Sequence, residues 1–263
     1  MKWATNPLFR PKKGQTDGLP PDVEATPGNT SSDESPSSSI RQNERGFKKP
    51  TERFTAYQLI YIFILDGIGA FIVSGGINFA IAYGMYSHQD PVRKPIRLFG
   101  YPETLAGDAG VTVIVQCVIT WFIELIFVNW DLKKGSVRSI GFIPEPKNRL
   151  VRWFMFLDRP AQPAVKVSSF KYWFWFLASQ FGRAVLISAF WFPFIWGPSI
   201  GFLTIHGTYQ NSDWYFPRVW TPQVFKLLEG GILGLLSTPP MVIFWLTRCG
   251  WALKNNEAHY GEL

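Results

Sequence analysis

Residues 57–84 read YQLIYIFILDGIGAFIVSGGINFAIAYG, an apolar run with a single charged side chain, Asp66. A helix of about 18–20 apolar residues is long enough to cross the ~30 Å hydrocarbon core of a bilayer. Three further runs follow, over residues 109–130, 172–206 and 222–247. A soluble domain of 263 residues does not need four such runs. The pattern therefore predicts an all-α membrane protein with four transmembrane helices.

Basic residues are distributed unevenly between the two sides that four crossings would create. The segment before the first run contains nine Lys or Arg, the central loop 131–171 contains nine, and the residues after 247 contain two. The loops 86–108 and 207–221 contain only three and one. Because Lys and Arg collect on the cytosolic side of membrane proteins, both termini and the central loop are predicted to be cytosolic.

Residues 1–53 are predicted to form a disordered cytosolic tail. They are rich in Ser, Pro and basic residues, so they cannot bury enough apolar surface to offset the entropy of ordering. Thr26 and Ser35 each precede a proline and Ser31 lies before two acidic residues, which makes all three candidate phosphorylation sites. The basic residues over 41–53 either attract anionic lipids or act only as a topology signal.

The membrane domain is predicted over residues 54–250, followed by a short cytosolic tail over 251–263. Within the central loop, residues 150–157 (LVRWFMFL) are apolar but too few to span a bilayer. Flanking charges predict a short amphipathic helix at about 148–158 that lies in the cytosolic interface. A docking site for a soluble partner is the alternative interpretation.

The third run has two interpretations. As a straight helix its residues would extend roughly 52 Å, too far for one crossing, yet they are too few for two crossings and a turn. Pro193 and Pro198 lie inside it. The run is predicted to be either one kinked span or an interfacial helix over 172–182 followed by a span.

Three charged residues fall inside the predicted spans: Asp66, Glu124 and Arg183. An unpaired ion at the bilayer centre costs roughly 2.5–3.5 kcal/mol, so such residues are expected to meet partners. Counting along the helices places all three toward the cytosolic leaflet. We predict an Asp66–Arg183 ion pair with Glu124 within reach. It serves either as a structural cluster that fixes helix register or as part of a substrate or proton pathway.

Lys226 and Glu229 are three residues apart near the start of the fourth run and can meet on one helix face. Residues 230–247 are free of charge and nearly long enough to span. Both charged residues are therefore predicted at the outer interface, with the Lys226 side chain snorkelling toward the headgroups.

Small residues recur at every fourth position in two runs: Gly76, Ala80 and Gly84 in the first, and Gly230 and Gly234 in the fourth. Small residues allow helices to approach closely in lipid. Both sets are predicted to pack helices within the chain. Association of two copies is the alternative for the first set, so a homo-oligomer is a candidate assembly.

The sequence carries no recognisable enzyme motif. It has no phosphate-binding loop, no His-Glu-x-x-His and no Cys-x-x-Cys, and its three histidines are scattered. We predict no catalytic residues, no metal and no cofactor. The net charge of +7 follows the membrane topology rule, so it does not indicate nucleic acid.

Two segments of the first run, LDGIGA at 65–70 and GGINFA at 75–80, resemble an uncharacterised fungal family of multi-pass membrane proteins, one that includes a yeast ionic-liquid-tolerance protein. The resemblance covers about residues 54–250. It implies a four-span membrane protein without an established activity, and it supplies no catalytic residues.

Two classes of function follow from the sequence. The first is a non-enzymatic structural, adaptor or stress-tolerance role. The second is a small solute or proton transporter or channel that uses Asp66, Glu124 and Arg183, and that would require oligomerisation because four helices enclose little volume. A lipid-handling enzyme would need a cavity open to the headgroups. The predicted location is an integral membrane, with the endoplasmic reticulum and the plasma membrane as candidate organelles.

Overall fold

The computed structural model describes residues 48–88, 95–101, 104–157, 170–218 and 220–261. Most of them belong to five helices: α1 (Ala56–Tyr86), α2 (Leu105–Lys134), α3 (Arg149–Phe154), α4 (Phe170–His206) and α5 (Thr221–Gly261). Three short strands lie in the connections: β1 (Ile96–Arg97), β2 (Thr208–Gln210) and β3 (Asp213–Phe216).

Four of the helices, α1, α2, α4 and α5, are long and apolar enough to cross a membrane. Each contains one of the four predicted runs and extends beyond it. The third run forms one continuous helix from Phe170 to His206, with Pro193 and Pro198 inside it. A separate interfacial helix over 172–182 therefore does not form.

The first half of α1 departs from regular α-helical geometry. Thr55 caps its start, because the Thr55 hydroxyl accepts the Gln58 N–H and the Gln58 side chain accepts the Thr55 N–H. Residues Ile60–Ile68 are then π-helical, and Gly69–Tyr86 return to the α-helix. π-Helical turns are rare and occur frequently at functional sites. This one carries Asp66, the charged residue of the first run.

Helix α5 lies at the centre of the bundle, with α1 packed along it and α2 between α5 and α4. The backbones of α1 and α5 come very close. A Cβ atom on Gly75 would lie 2.9 Å from the Leu227 carbonyl oxygen, and one on Gly234 would lie 2.8 Å from that of Ala70. Gly230 and Gly234 thus lie on the face of α5 that packs against α1. In the most apolar 18-residue stretch of each helix, 61% of α5 is buried inside the bundle and 11% of α4.

The predicted end of the disordered tail, residue 53, lies beyond the first residues that pack against the bundle. Pro50 and Thr51 are buried, and the Thr51 N–H donates to the Ser139 carbonyl oxygen at 2.9 Å. The Gln58 side chain donates to the Thr51 hydroxyl at 3.2 Å, which secures the segment to α1. Residues 1–47, including the candidate phosphorylation sites Thr26, Ser31 and Ser35, lie outside the described residues.

The central loop contains a helix near the predicted position. Helix α3 spans six residues, Arg149–Phe154, and Asn148 caps its start. The residues expected to form a separate tail after 250 instead continue α5 as far as Gly261. Trp251 anchors this extension by donating its indole N–H to the Ile143 carbonyl oxygen at 2.6 Å.

The structure also contains a small antiparallel sheet, ordered β1-β3-β2, which the all-α prediction did not include. Strands β2 and β3 form a hairpin in which Gln210 pairs with Asp213, and Asn211 and Ser212 turn with φ of 48° and 63°. Positive φ at both turn residues gives the hairpin turn whose twist matches its strands. The Asp213 carboxylate accepts N–H groups of Phe99, Gly100 and Trp214, so it ties the loop before α2 to the hairpin.

The bundle therefore has two distinct ends. We call the end that carries the three strands the sheet end. The opposite end, where α3 lies and where α1 begins, is the α3 end.

Candidate polar path through the helix bundle

The buried side of α2 carries a polar residue at every fourth position: Asp108, Thr112, Gln116, Thr120 and Glu124. We call these five residues the α2 stripe. The last four expose 9% of their surface or less, and the Asp108 side chain exposes 16%. The stripe extends roughly 24 Å, and Asp131 lengthens the polar line to roughly 34 Å. That length exceeds the ~30 Å of a bilayer hydrocarbon core.

At the sheet end the stripe begins in a buried ion cluster around Lys226. The Lys226 Nζ lies 3.2 Å from Asp108 Oδ1 and 3.4 Å from Glu229 Oε2, and it also donates to the Thr112 hydroxyl. The Tyr86 hydroxyl donates to the other Asp108 oxygen at 3.3 Å. The cluster joins α1, α2 and α5, and it pairs two carboxylates with one ammonium group.

The structure buries Lys226 and Glu229 between helices, so the predicted snorkelling of Lys226 toward the headgroups is not seen. The two side chains do meet on one face of α5, but they expose only 1% and 0% of their surface. Asp108 and Thr112 supply the partners that the snorkelling interpretation assigned to headgroups and water. The pair can be buried because α2 places a second carboxylate, that of Asp108, beside the Lys226 ammonium group.

Further along the stripe, Gln116 links three helices. The Asn78 side chain of α1 donates to Gln116 Oε1 at 2.9 Å, and Gln116 donates to the Gly230 carbonyl oxygen of α5 at 2.8 Å. Gly230 lies directly against Asn78, so a side chain at Gly230 would displace this contact. The amide network therefore depends on the absence of a side chain at that position.

At the α3 end, four polar residues from α1 and α2 form what we call the carboxylate site: Tyr61, Asp66, Glu124 and Asp131. The Tyr61 hydroxyl donates to Asp131 Oδ2 at 2.8 Å. Glu124 is seven residues, or about two helical turns, before Asp131 on α2 and exposes 7% of its surface. Asp66 Oδ2 is buried and has no hydrogen-bond partner within the described ranges. The carboxylate site thus contains three carboxyl groups, of which Glu124 is buried and Asp66 and Asp131 are partly buried.

The structure does not join Arg183 to Asp66, so the predicted ion pair is wrong. The Arg183 guanidinium instead donates to the carbonyl oxygens of Trp153 and Phe154, at 2.8 and 2.9 Å, and to that of Ser179 at 2.9 Å. Its central carbon also lies 3.7 Å from the Phe156 ring centroid. Carbonyls at the C-terminus of α3 and an aromatic face satisfy the cation without an intramembrane carboxylate.

The first small-residue stripe faces outward. A Cβ atom on Gly76 or Gly84 would meet nothing within 4 Å, and Ala80 is exposed. The prediction that Gly76, Ala80 and Gly84 pack within the chain is therefore wrong. Gly75 makes the contact with α5 instead, because it lies about 100° around the helix from Gly76.

Asp108, Asp131 and Tyr61 are among the members of the polar path that sequence analysis missed. Asp108 and Glu124 are sixteen residues apart, with Thr112, Gln116 and Thr120 at regular intervals between them. That repeat of four is a visible signal of a polar helix face. Tyr61 gave no such signal, because it is five residues from Asp66 and a π-helical turn is needed to place both on one side.

The path offers hydrogen-bonding groups rather than a metal site. No group of three or more His, Cys, Asp or Glu residues in the described part of the chain is arranged to hold a metal ion. Hydroxyl, amide and carboxyl groups buried among apolar helices can bind or pass protons and small polar solutes. The fold and the path together describe a helical bundle of membrane-spanning length with a polar interior line.

Comparison with known proteins relates the chain to uncharacterised fungal proteins. Residues 152–246 match DUF2456, a family described as a protein of unknown function. Uncharacterized protein C594.02c of Schizosaccharomyces pombe is 38% identical over 69% of this chain. The match covers 36% of that relative, so the chain spans about a third of its length.

A second relative is Uncharacterized protein YHL026C of Saccharomyces cerevisiae, 26% identical over 72% of this chain and 78% of its own length. No solved structure matches the chain. The comparisons agree with the resemblance to an uncharacterised fungal family, and none of them refers to ionic-liquid tolerance.

Proposed function

We propose that the chain is a non-enzymatic integral membrane protein that transports protons or a small polar solute along the α2 stripe. The observation that carries this proposal is the polar line from Asp108 to Asp131, which runs roughly 34 Å through the bundle. Four buried and two partly buried polar residues along one helix favour a functional pathway.

We infer that α1, α2, α4 and α5 cross the membrane and that the α3 end lies in the cytosol. The positive-inside rule supports this orientation, because the segments at the α3 end contain most of the Lys and Arg. Anionic headgroups would meet exposed basic residues there, such as Arg149 and Lys133. The endoplasmic reticulum and the plasma membrane are the proposed locations.

A homo-oligomer completes the proposal. The outward stripe of Gly76, Ala80 and Gly84 provides a surface on which α1 of a second copy can pack closely. Pairing along α1 would enlarge the limited interior that four helices enclose.

The test is a flux measurement on the full chain reconstituted into liposomes that contain a pH-sensitive dye, with a potassium gradient and valinomycin to set the voltage. We expect proton entry above that of empty liposomes. Thr120→Val keeps the side-chain shape but removes a hydroxyl from the middle of the stripe. It should slow the flux by up to about tenfold, because one hydrogen bond contributes roughly 0.5–1.5 kcal/mol.

The matched control is Ile119→Val, since Ile119 is the neighbouring residue and is 52% exposed on the other side of α2. It should leave the flux unchanged. Wild-type liposomes that pass neither protons nor small cations would overturn the transport proposal, as would equal effects of the two substitutions.

A structural role is the second candidate, and the Lys226 cluster favours it. Asp108, Glu229 and Thr112 surround the ammonium group with oxygen atoms from two helices, an arrangement that fixes helix register. Two results together would support this role: substitutions in the α2 stripe lower protein abundance, and the wild-type protein shows no measurable flux. An adaptor or stress-tolerance function, including tolerance of ionic liquids, belongs to this second proposal.

A further inference from the structure

The buried ion cluster around Lys226 contains more negative than positive charge. The Lys226 Nζ lies 3.2 Å from Asp108 Oδ1 and 3.4 Å from Glu229 Oε2, so a single ammonium group serves two carboxylates. Within the described ranges, no other Lys or Arg forms an ion pair with either of them. If all three groups were ionised, the cluster would hold one uncompensated negative charge.

The two carboxylates differ in the contacts that stabilise them. Asp108 is the closer partner of Lys226, and its other oxygen accepts the Tyr86 hydroxyl at 3.3 Å. Its side chain also exposes 16% of its surface. The Glu229 side chain exposes 0%, and neither Oε1 nor Oε2 accepts a hydrogen bond from the described residues. The uncompensated charge would therefore fall on Glu229.

The other titratable groups near the sheet end do not balance this charge. His206, at the end of α4, is exposed, and the Arg97 guanidinium lies over the Tyr215 ring. A metal ion bound to Glu229 would be repelled by the Lys226 ammonium group, which is 3.4 Å from the carboxylate. A proton bonds directly to a carboxylate oxygen and removes the charge, so it is the counter-ion that the cluster can accommodate.

We propose that Glu229 is a proton-binding residue that loads the α2 stripe from the sheet end. A buried carboxylate that has to share its cation is stabilised by taking up a proton. A hydronium ion that arrives on the partly exposed Asp108 side gives its proton to Glu229 Oε1 and becomes water. The new O–H bond leaves Glu229 neutral, and Lys226 then pairs with Asp108 alone. This inference rests on the proposed transport function and names the proton as its substrate.

Infrared difference spectroscopy on the full chain in liposomes tests the assignment as the pH is lowered. A protonated carboxyl group has its own C=O stretching band, which lies at higher frequency when its carbonyl oxygen accepts no hydrogen bond. We expect the wild type to show such a band at a pH where the exposed Glu52 is still ionised. A component of it should disappear in Glu229→Gln, shift in Glu229→Asp and stay in the control Glu52→Gln. A spectrum that Glu229→Gln leaves unchanged would overturn the assignment.

Thermal unfolding separates proton binding from a purely structural ion cluster. Glu229→Gln introduces an uncharged group of nearly the same shape as the neutral acid, so we expect little change in melting temperature. Asp108→Asn removes the ion pair that joins α2 to α5, and we expect a clear decrease. Equal decreases in the two variants would mean that both carboxylates are permanent partners of Lys226, which contradicts proton binding by Glu229.

The same liposomes distinguish this inference from the transport proposal. A Glu229 band together with a wild-type proton flux that Glu229→Gln slows supports both. A Glu229 band in liposomes without wild-type flux keeps the proton site and rejects transport. Proton flux without such a band, or flux that Glu229→Gln does not change, keeps transport and rejects Glu229 as its loading residue.

Discussion

Two adjacent glycines in α1 have opposite surroundings. A Cβ atom on Gly75 would lie 2.9 Å from the Leu227 carbonyl oxygen and 3.5 Å from Gly231 Cα, both of them backbone atoms of α5. A Cβ atom on Gly76 would have nothing within 4 Å. Only Gly75 is therefore required by the packing of α1 against α5.

Alanine substitutions at Gly75 and Gly76 should therefore have different effects on stability. Gly75→Ala forces α1 and α5 apart, and we expect a loss of about 1–3 kcal/mol in stability. Gly76→Ala should be neutral or stabilise the helix by up to about 1 kcal/mol, because alanine has the better helix propensity. Thermal unfolding of the two variants in detergent checks this. Equal melting temperatures would contradict the close approach at Gly75.

The sequence identified which residues are unusual better than it identified their partners. Asp66, Glu124 and Arg183 stand out as charges in apolar runs, and in the structure Arg183 donates hydrogen bonds to three carbonyl oxygens. The pairing of Arg183 could not be predicted, because its partners are backbone carbonyls of Trp153 and Phe154. Every residue has a backbone carbonyl oxygen, so the pattern of side chains in the sequence cannot indicate which carbonyls will bind Arg183.

Among the elements, α3 is the shortest helix and has the most unusual attachment. Its last carbonyl groups, those that a helix end leaves without partners, accept hydrogen bonds from Arg183 and Arg248. Phe156 follows with a φ of 61° and places its ring between the two guanidinium groups. The central loop is thus fastened to α4 and α5 by charge-assisted bonds.

Arg183→Lys should release α3 although it conserves the charge. A lysine ammonium cannot reproduce the planar fork that reaches two adjacent carbonyl oxygens. We expect amide hydrogen exchange at residues 155–157 to rise by about tenfold or more, since each charged hydrogen bond contributes roughly 1.5–3 kcal/mol. Arg53→Lys, at an exposed position, is the control. Unchanged exchange in Arg183→Lys would show that packing alone holds the loop.

The sheet shows why elements in loops are harder to predict than spans. A span is recognised from some twenty apolar residues, whereas the hairpin of Thr208–Gln210 and Asp213–Phe216 rests on seven. Asn211-Ser212 is a weaker turn signal than Asn-Gly. The contacts of Asp213 with Phe99 and Gly100 join residues more than a hundred positions apart, and no local pattern reports them.

At the scale of the whole molecule, the proposed orientation places the α3 end and the sheet end on opposite sides of a membrane. The chain suits a labelling test because both native cysteines, Cys117 and Cys249, are buried. Ser136→Cys and Gln210→Cys introduce one exposed thiol at each end. A membrane-impermeant maleimide should reach Gln210→Cys from the non-cytosolic side and Ser136→Cys only from the cytosolic side. Labelling of both from one side would contradict the four crossings.

The number and approximate limits of the long helices could be predicted from hydropathy, because burial in lipid requires long apolar runs whatever the neighbouring helices do. The arrangement of those helices could not. Whether Lys226 reaches headgroups or Asp108 depends on which helix lies beside α5, and that depends on contacts between helices such as the bond from Gln116 to the Gly230 carbonyl oxygen.

Helix α4 has a mechanical consequence that follows from its length. Its thirty-seven residues extend roughly 55 Å, and it is held mainly along α2 while most of its apolar surface stays outside the bundle. In a bilayer with a ~30 Å core, such a helix accommodates the mismatch by tilting. Because Arg183 couples α4 to the end of α3, a change in the tilt of α4 would also move α3 and the central loop. A change in bilayer thickness would therefore act on the α3 end of the bundle.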